Sequence, residues 1–233
     1  MSPSVVVVTG GGRGIGRAVC QRFAGEGAQT VAAARSVEEL AETKRLIEQS
    51  GGLCHVEPTD LSEADEIQAL AETTLERFGR IDVLVNCAGV APLVTIEELD
   101  DHVFETILAV NVTAVYLGCR AVWPIMKRQR GGVIVNISSI ASVSPYAGFA
   151  AYGASKAWVN AWTNALAEEG RPHGIHVFSI APGAVETKML RNVFPDYPAA
   201  DTLAPSDVAD LVYAVTRPEC QYTTGQTIFA KKS

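Results

Sequence analysis

The chain has 233 residues, 48% hydrophobic and 19% charged, a balance that fits one globular domain with a large core and argues against disorder. Lys plus Arg number 19 against 26 for Asp plus Glu, and the net charge of −7 disfavours a nucleic acid or an anionic membrane as partner. Its five cysteines form no C-x-x-C pair, and no apolar stretch approaches the ~20 residues of a membrane span, so reduced thiols and a cytoplasmic location are expected.

Residues 5–8 are four valines, the β-branched run of a strand buried on both faces. They lead into Thr9-Gly10-Gly11-Gly12-Arg13-Gly14-Ile15-Gly16, after which Arg17 to Phe23 reads as an amphipathic helix. Strand, glycine-rich turn and helix in that order are what a dinucleotide site requires. Glycines let the backbone approach a ligand closely, and a helix N-terminus offers free N–H groups to a pyrophosphate. The spacing is T-G-x-x-x-G-x-G rather than the commoner G-x-G-x-x-G.

Further strand-like runs lie near 29–34, 53–57, 81–86, 132–138, 175–181 and 226–230, with helical stretches near 14–26, 36–50, 62–78, 99–129, 150–171 and 206–216. This alternation predicts one α/β domain over 1–233: a Rossmann-type, doubly wound fold with a parallel seven-stranded sheet and helices on both faces. Ligands of such sheets sit outside the carboxyl ends of the strands. The glycine turn, Asn86–Gly89, Ser139 and Pro182-Gly183 all follow predicted strands, so one edge should gather them. His173 and His176 flank Gly174 in what reads as a loop leading into a strand, and no metal is expected there.

Tyr152-Gly153-Ala154-Ser155-Lys156 places a phenol and an ammonium four residues apart on one helix face, with Ser139 thirteen positions upstream. A free phenol has a pKa of roughly 10, and a neighbouring cation favours its ionised form. Such a pair predicts a usable proton donor and acceptor. Asn111 lies in the apolar helical stretch 108–112, where a buried amide must find partners: it either braces the helix or serves the site.

Taken together, the glycine turn, Asp60-Leu61, Asn86-Cys87-Ala88-Gly89, Asn111, Ile137-Ser138-Ser139, Tyr152 to Lys156, and Pro182-Gly183 with Thr187 resemble the short-chain dehydrogenase/reductase family. The likeness is to its compact single-domain branch, including 3-oxoacyl-[acyl-carrier-protein] reductase-like and carbonyl reductase-like members. It extends over nearly the whole chain and is specific for fold and chemistry, not for substrate.

The resemblance implies a hydride transfer between a nicotinamide cofactor and a small-molecule carbonyl or secondary alcohol. It makes Tyr152 the general acid/base and Ser139 the group that holds the substrate oxygen. Lys156 would lower the tyrosine pKa and bind ribose hydroxyls, and Asn111 would hold a water in a proton relay to Lys156. Gly10, Gly12, Arg13, Gly14, Ile15 and Gly16 would cradle the cofactor, with Asn86, Ala88 and Gly89 beside them. Asp60-Leu61 would contact adenine, although Asp60 equally suits a helix N-cap. Pro182, Gly183, Val185 and Thr187 would pack on the nicotinamide, with Thr187 on its carboxamide or merely starting the next helix.

The second strand ends at Ala34-Arg35 without the carboxylate that grips a ribose 2′-hydroxyl, and Arg13 and Arg35 suit a 2′-phosphate. NADP(H) rather than NAD(H) is expected; the alternative for Arg35 is a helix cap or a surface ion pair. The segment from Lys188 to Pro205 is the expected substrate loop, kept from regular helix by Pro195 and Pro198. Met189, Phe194 and Tyr197, facing Val90, Ile140, Val143, Tyr146 and Phe149, imply a largely apolar substrate.

Cys87 departs from the family's Asn-Asn-Ala-Gly, and Lys231-Lys232-Ser233 stands where many relatives carry Asp-Gly-Gly, which weakens transfer of any one metabolic role. The helices near 99–129 and 150–171, with Trp158 and Trp162, predict a homodimer or homotetramer. Alternatives are a fatty-acid-type 3-oxoacyl thioester reductase and a non-catalytic NADP(H) sensor.

Overall fold

A computed structural model describes residues 3–232; the two ends of the expected 1–233 domain, Met1-Ser2 and Ser233, lie outside the described residues. The elements in chain order are β1 (Val5–Thr9), α1 (Gly14–Gly25), β2 (Gln29–Ala34), α2 (Val37–Gln49), β3 (Leu53–Pro58), α3 (Ala64–Phe78) and β4 (Val83–Asn86). Then follow α4 (Asp101–Leu108), α5 (Ala114–Gln129), β5 (Gly132–Ile137), α6 (Ala150–Gly170), β6 (Ile175–Pro182), α7 (Lys188–Val193), α8 (Pro205–Val215) and β7 (Thr227–Ala230).

The seven strands form one parallel sheet in the order β3-β2-β1-β4-β5-β6-β7. Strand order reverses at β1, which pairs with β2 on one side (Thr9 opposite Ala33) and with β4 on the other (Thr9 opposite Asn86). Loops leaving β1 and β4 must therefore part on opposite faces, and the crevice between them is where such sheets bind ligands. Every residue of β1 is buried. Val7 joins the core formed with α3, α5 and α6, while Val6 and Val8 join the core formed with α1 and α8. Apolar β-branched residues at consecutive positions are what a strand covered on both faces demands.

Three expectations are corrected. The helical stretch near 99–129 is not one α-helix: a π-helical turn, Ala109–Thr113, separates α4 from α5 and contains Asn111. β4 begins at Val83 rather than residue 81, because the Gln129 side chain takes both Ile81 backbone groups, at 3.0 and 2.8 Å. The substrate loop opens with a helical turn and a half, α7, whose first turn is capped by Thr187 Oγ1 accepting from Leu190 N at 3.3 Å. The prolines keep the chain irregular only from Phe194 onward.

The run Asp101–Gln129 is, by length and composition, apolar enough to cross a membrane. Half of that window is buried in the protein, where Val115, Leu117, Val122 and Met126 pack in the core, as for an internal helix.

Candidate active site

The glycine turn leaves β1 under tight steric constraint. A Cβ on Gly16 would stand 2.2 Å from the Gly10 carbonyl oxygen, and one on Gly10, whose φ is +69°, 2.9 Å from Ala88. The turn is thus pressed against α1 on one side and against the loop after β4 on the other. Its underside is held by side chains: Thr43 Oγ1 donates toward the Gly11 and Gly12 carbonyls at 3.0 Å, and the Arg17 guanidinium donates to Gly12 O at 3.1 Å. Thr9 Oγ1 accepts from Cys87 N and Ala88 N at 3.1 and 3.3 Å, which fixes the loop after β4 beside the turn. The backbone of Cys87 thereby keeps its turn without the family's asparagine.

A cavity of about 1090 Å³ runs along this edge of the sheet. Gly10, Gly12, Arg13, Gly14, Ile15 and Gly16 line it from the turn, and Arg35, Asp60 and Leu61 from the ends of β2 and β3. Ala88 and Gly89 line it after β4, and Ser139, Tyr152 and Lys156 after β5 and on α6. Pro182, Gly183, Val185 and Thr187 complete it after β6. The Thr187 methyl lies close to Gly14, where an added Cβ would stand 3.3 Å away. Asn86 and Asn111 are outside the lining.

Asn86 braces the sheet: its Nδ2 donates to Asn136 Oδ1 at 2.8 Å, and Asn136 donates to Thr163 Oγ1 at 2.9 Å. Asn111 is fully buried; its Oδ1 accepts from Val90 N at 2.9 Å and its Nδ2 donates to Val90 O and to Ser155 Oγ. Its bracing role is thus visible. The same Oδ1 and Lys156 Nζ face one point from two sides, 3.4 and 3.5 Å from where a Gly89 Cβ would be.

Asp60 does not cap α3, whose N-cap is Glu63; its carboxylate instead accepts from the Ser62 amide and hydroxyl at 3.0 and 2.7 Å. Those bonds hold its pKa below the usual carboxylate range. Arg35 neither caps α2, a task done by Ser36, nor forms an ion pair among the described residues. It is exposed at the cavity rim.

At the other end, Lys156 Nζ donates to the Ile137 carbonyl at 2.9 Å and stands 6.0 Å from the Tyr152 ring centre. Burial pushes the ammonium down to about 8, opposed by the Cys87 thiol, which burial pushes up to about 12. The expected lowering of the Tyr152 pKa is absent here. Burial raises it, and only the neighbouring Ser139 hydroxyl opposes the rise. The reason is geometric: the ammonium is directed to a backbone carbonyl rather than to the phenol.

Beyond Tyr152 the cavity is aromatic. Phe149 lies 5.0 Å from the Tyr152 ring and 5.9 Å from Phe194, and Tyr146 lies 5.6 Å from Phe194. Val90, Ile140, Met189 and Tyr197 share this wall, while Val143 is outside the lining and 62% exposed. Sequence reasoning missed Thr9, Arg17 and Thr43, whose roles rest on contacts across the fold, and Glu39, which lines the cavity and pairs with Arg13.

A glycine turn pressed on a helix start, at a strand-order reversal, defines a dinucleotide-binding α/β domain, and the glycine-lined cavity and its guanidinium end fit such a cofactor. Residues 4–198 match the family model for short chain dehydrogenases, and the chain belongs to that family of oxidoreductases, which act on carbonyl and alcohol groups with nicotinamide cofactors. A curated relative, 3beta-hydroxysteroid dehydrogenase 1 of Eggerthella lenta, is 37% identical over 96% of this chain and 90% of its own length. Among solved structures, 3-ketoacyl-(acyl-carrier-protein) reductase of Brucella melitensis complexed with NADH superposes with TM-score 0.91 at 30% identity, covering 97% of this chain and 96% of that one. A variant of actinorhodin polyketide ketoreductase with NADPH gives 0.93 at 30%, covering 98% and 95%.

Proposed function

We propose that the chain is an NADP(H)-dependent oxidoreductase that interconverts an uncharged, largely apolar ketone and its secondary alcohol, with Tyr152 as general acid/base. The observation that carries this reading is the grouping of Ser139, Tyr152 and Lys156 at the aromatic end of a cavity whose other end is lined by Arg13 and Arg35. The bound nicotinamide supplies or accepts the hydride. Tyr152 gives a proton to the substrate oxygen in reduction and takes it back in oxidation. Ser139 donates a hydrogen bond to that oxygen, a contact that strengthens as negative charge grows there. Lys156 holds ribose hydroxyls and recharges the phenol, with Asn111 Oδ1 anchoring a water relay behind it.

The guanidiniums of Arg13 and Arg35, with no carboxylate at Ala34, support a 2′-phosphate on the cofactor. The ring cluster formed by Tyr146, Phe149 and Phe194 supports a ring-bearing or otherwise apolar substrate. Exposed Phe104, Leu108 and Tyr116 on α4 and α5 support a dimer or tetramer, which a single-chain mass by light scattering would contradict.

The test is NADPH and NADH consumption over uncharged ring ketones, open-chain ketones and 3-oxoacyl thioesters. Turnover highest with a ring ketone and NADPH is expected. Preference for the thioester would replace the substrate reading with that of a fatty-acid-type reductase, and tight binding without turnover on any would favour a sensor.

A further inference from the structure

The two guanidiniums at the adenosine end are not equivalent. Arg35 has no carboxylate within ion-pair distance among the described residues, whereas Arg13 Nη1 already sits 3.0 Å from Glu39 Oε1. Glu39 is no loose surface side chain. Its amide donates to the Ser36 cap at 3.2 Å, its carbonyl accepts from Arg17 Nη2, and its Cβ would stand 3.1 Å from a Cβ added to Gly12. The first turn of α2 and the glycine turn therefore fix the Glu39 backbone and Cβ at the cavity wall, and Arg13 holds the carboxylate, the side chain being 32% exposed.

Resting on the reading of Arg13 and Arg35 as a 2′-phosphate site, we infer that Glu39 is a specificity-determining residue that competes with the 2′-phosphate for Arg13 and so limits the preference for NADP(H) over NAD(H). A phosphate arriving at Arg35 must displace the Glu39 carboxylate from Arg13 to gain that second guanidinium. A cofactor with a plain 2′-hydroxyl leaves the pair intact. The net preference is the difference between those two bindings.

The test is Glu39→Gln, which keeps the size and the backbone contacts and removes the charge, read by calorimetric binding of NADP⁺, NAD⁺, 2′,5′-ADP and 5′-AMP. Removing one partly exposed competing charge predicts about three- to tenfold tighter binding of the two 2′-phosphorylated ligands, with NAD⁺ and 5′-AMP changed less than about twofold. In an Arg13→Gln background the gain should vanish. Unchanged or weaker binding of the 2′-phosphorylated ligands, equal tightening of all four, or a gain that survives loss of Arg13 would each overturn the inference. Failure of the cofactor reading is separately visible as 2′,5′-ADP binding no tighter than 5′-AMP in both wild type and Glu39→Gln. The sign of the Glu39→Gln difference decides the role of Glu39 in either case.

Discussion

Lys156 is an ammonium that the fold has taken out of water, with one hydrogen bond to the Ile137 carbonyl in exchange. Its pKa falls to about 8 in the folded protein, below the unfolded value of about 10.4. The folded state thus binds fewer protons than the unfolded chain between those two pH values, so this group adds stability as pH rises through the window and imposes its full cost below about 8. Urea unfolding of wild type and Lys156→Met should therefore show the difference shifting in favour of wild type between pH 8 and 10; a constant difference would contradict the buried-ammonium account. Tyr152 moves the other way. Burial raises its pKa, so in the free protein it is held in the protonated form, which is the form a reductase needs first. The Tyr152, Lys156 and Ser139 spacing was legible in the sequence because it follows helix periodicity and motif spacing. The direction of the tyrosine shift was not, because it depends on where the Lys156 ammonium points.

At the scale of elements, the π-helical turn between α4 and α5 is the feature with most consequence for the site. It carries Asn111, whose amide satisfies both backbone groups of Val90 and reaches Ser155, the neighbour of Lys156. Asn111→Ala would leave the Val90 N–H and C=O without their protein partners in a partly buried place, at a cost of about 1 kcal/mol. We expect a lowered urea midpoint together with weaker cofactor binding, since the loop at Gly89 loses its brace. A variant with unchanged stability would remove the bracing role. This turn was invisible in the sequence, because residues 108–112 keep an apolar pattern that any helical register accommodates. Helix α7 was missed for a related reason: its six residues give too short a pattern, and the prolines that suggested irregular chain stand after it. By contrast, β1 and its glycine turn were plain. Four valines followed by glycines leave little choice, and the 2.2 Å separation at Gly16 shows why glycine is required.

Over the whole molecule, the alternation of seven strands with helices was readable with boundaries mostly close to those observed, since most strands are apolar runs and the helices between them amphipathic. The sheet order then accounts for the rest. Reversal at β1 brings residues from 10 to 187 along the chain to one edge and one cavity. The polar braces Thr9, Asn86, Asn136 and Thr163, and the Arg13–Glu39 pair, come from segments distant in the chain, so only the folded molecule reveals them. The central claim is that this edge performs hydride transfer with Tyr152 as the proton donor. The most direct measurement is steady-state reduction of the best ketone by wild type and Tyr152→Phe, with cofactor dissociation constants measured in parallel. The account predicts a fall in kcat of about 10²–10⁴-fold with cofactor affinity changed less than about twofold. Turnover by Tyr152→Phe comparable to wild type would contradict it.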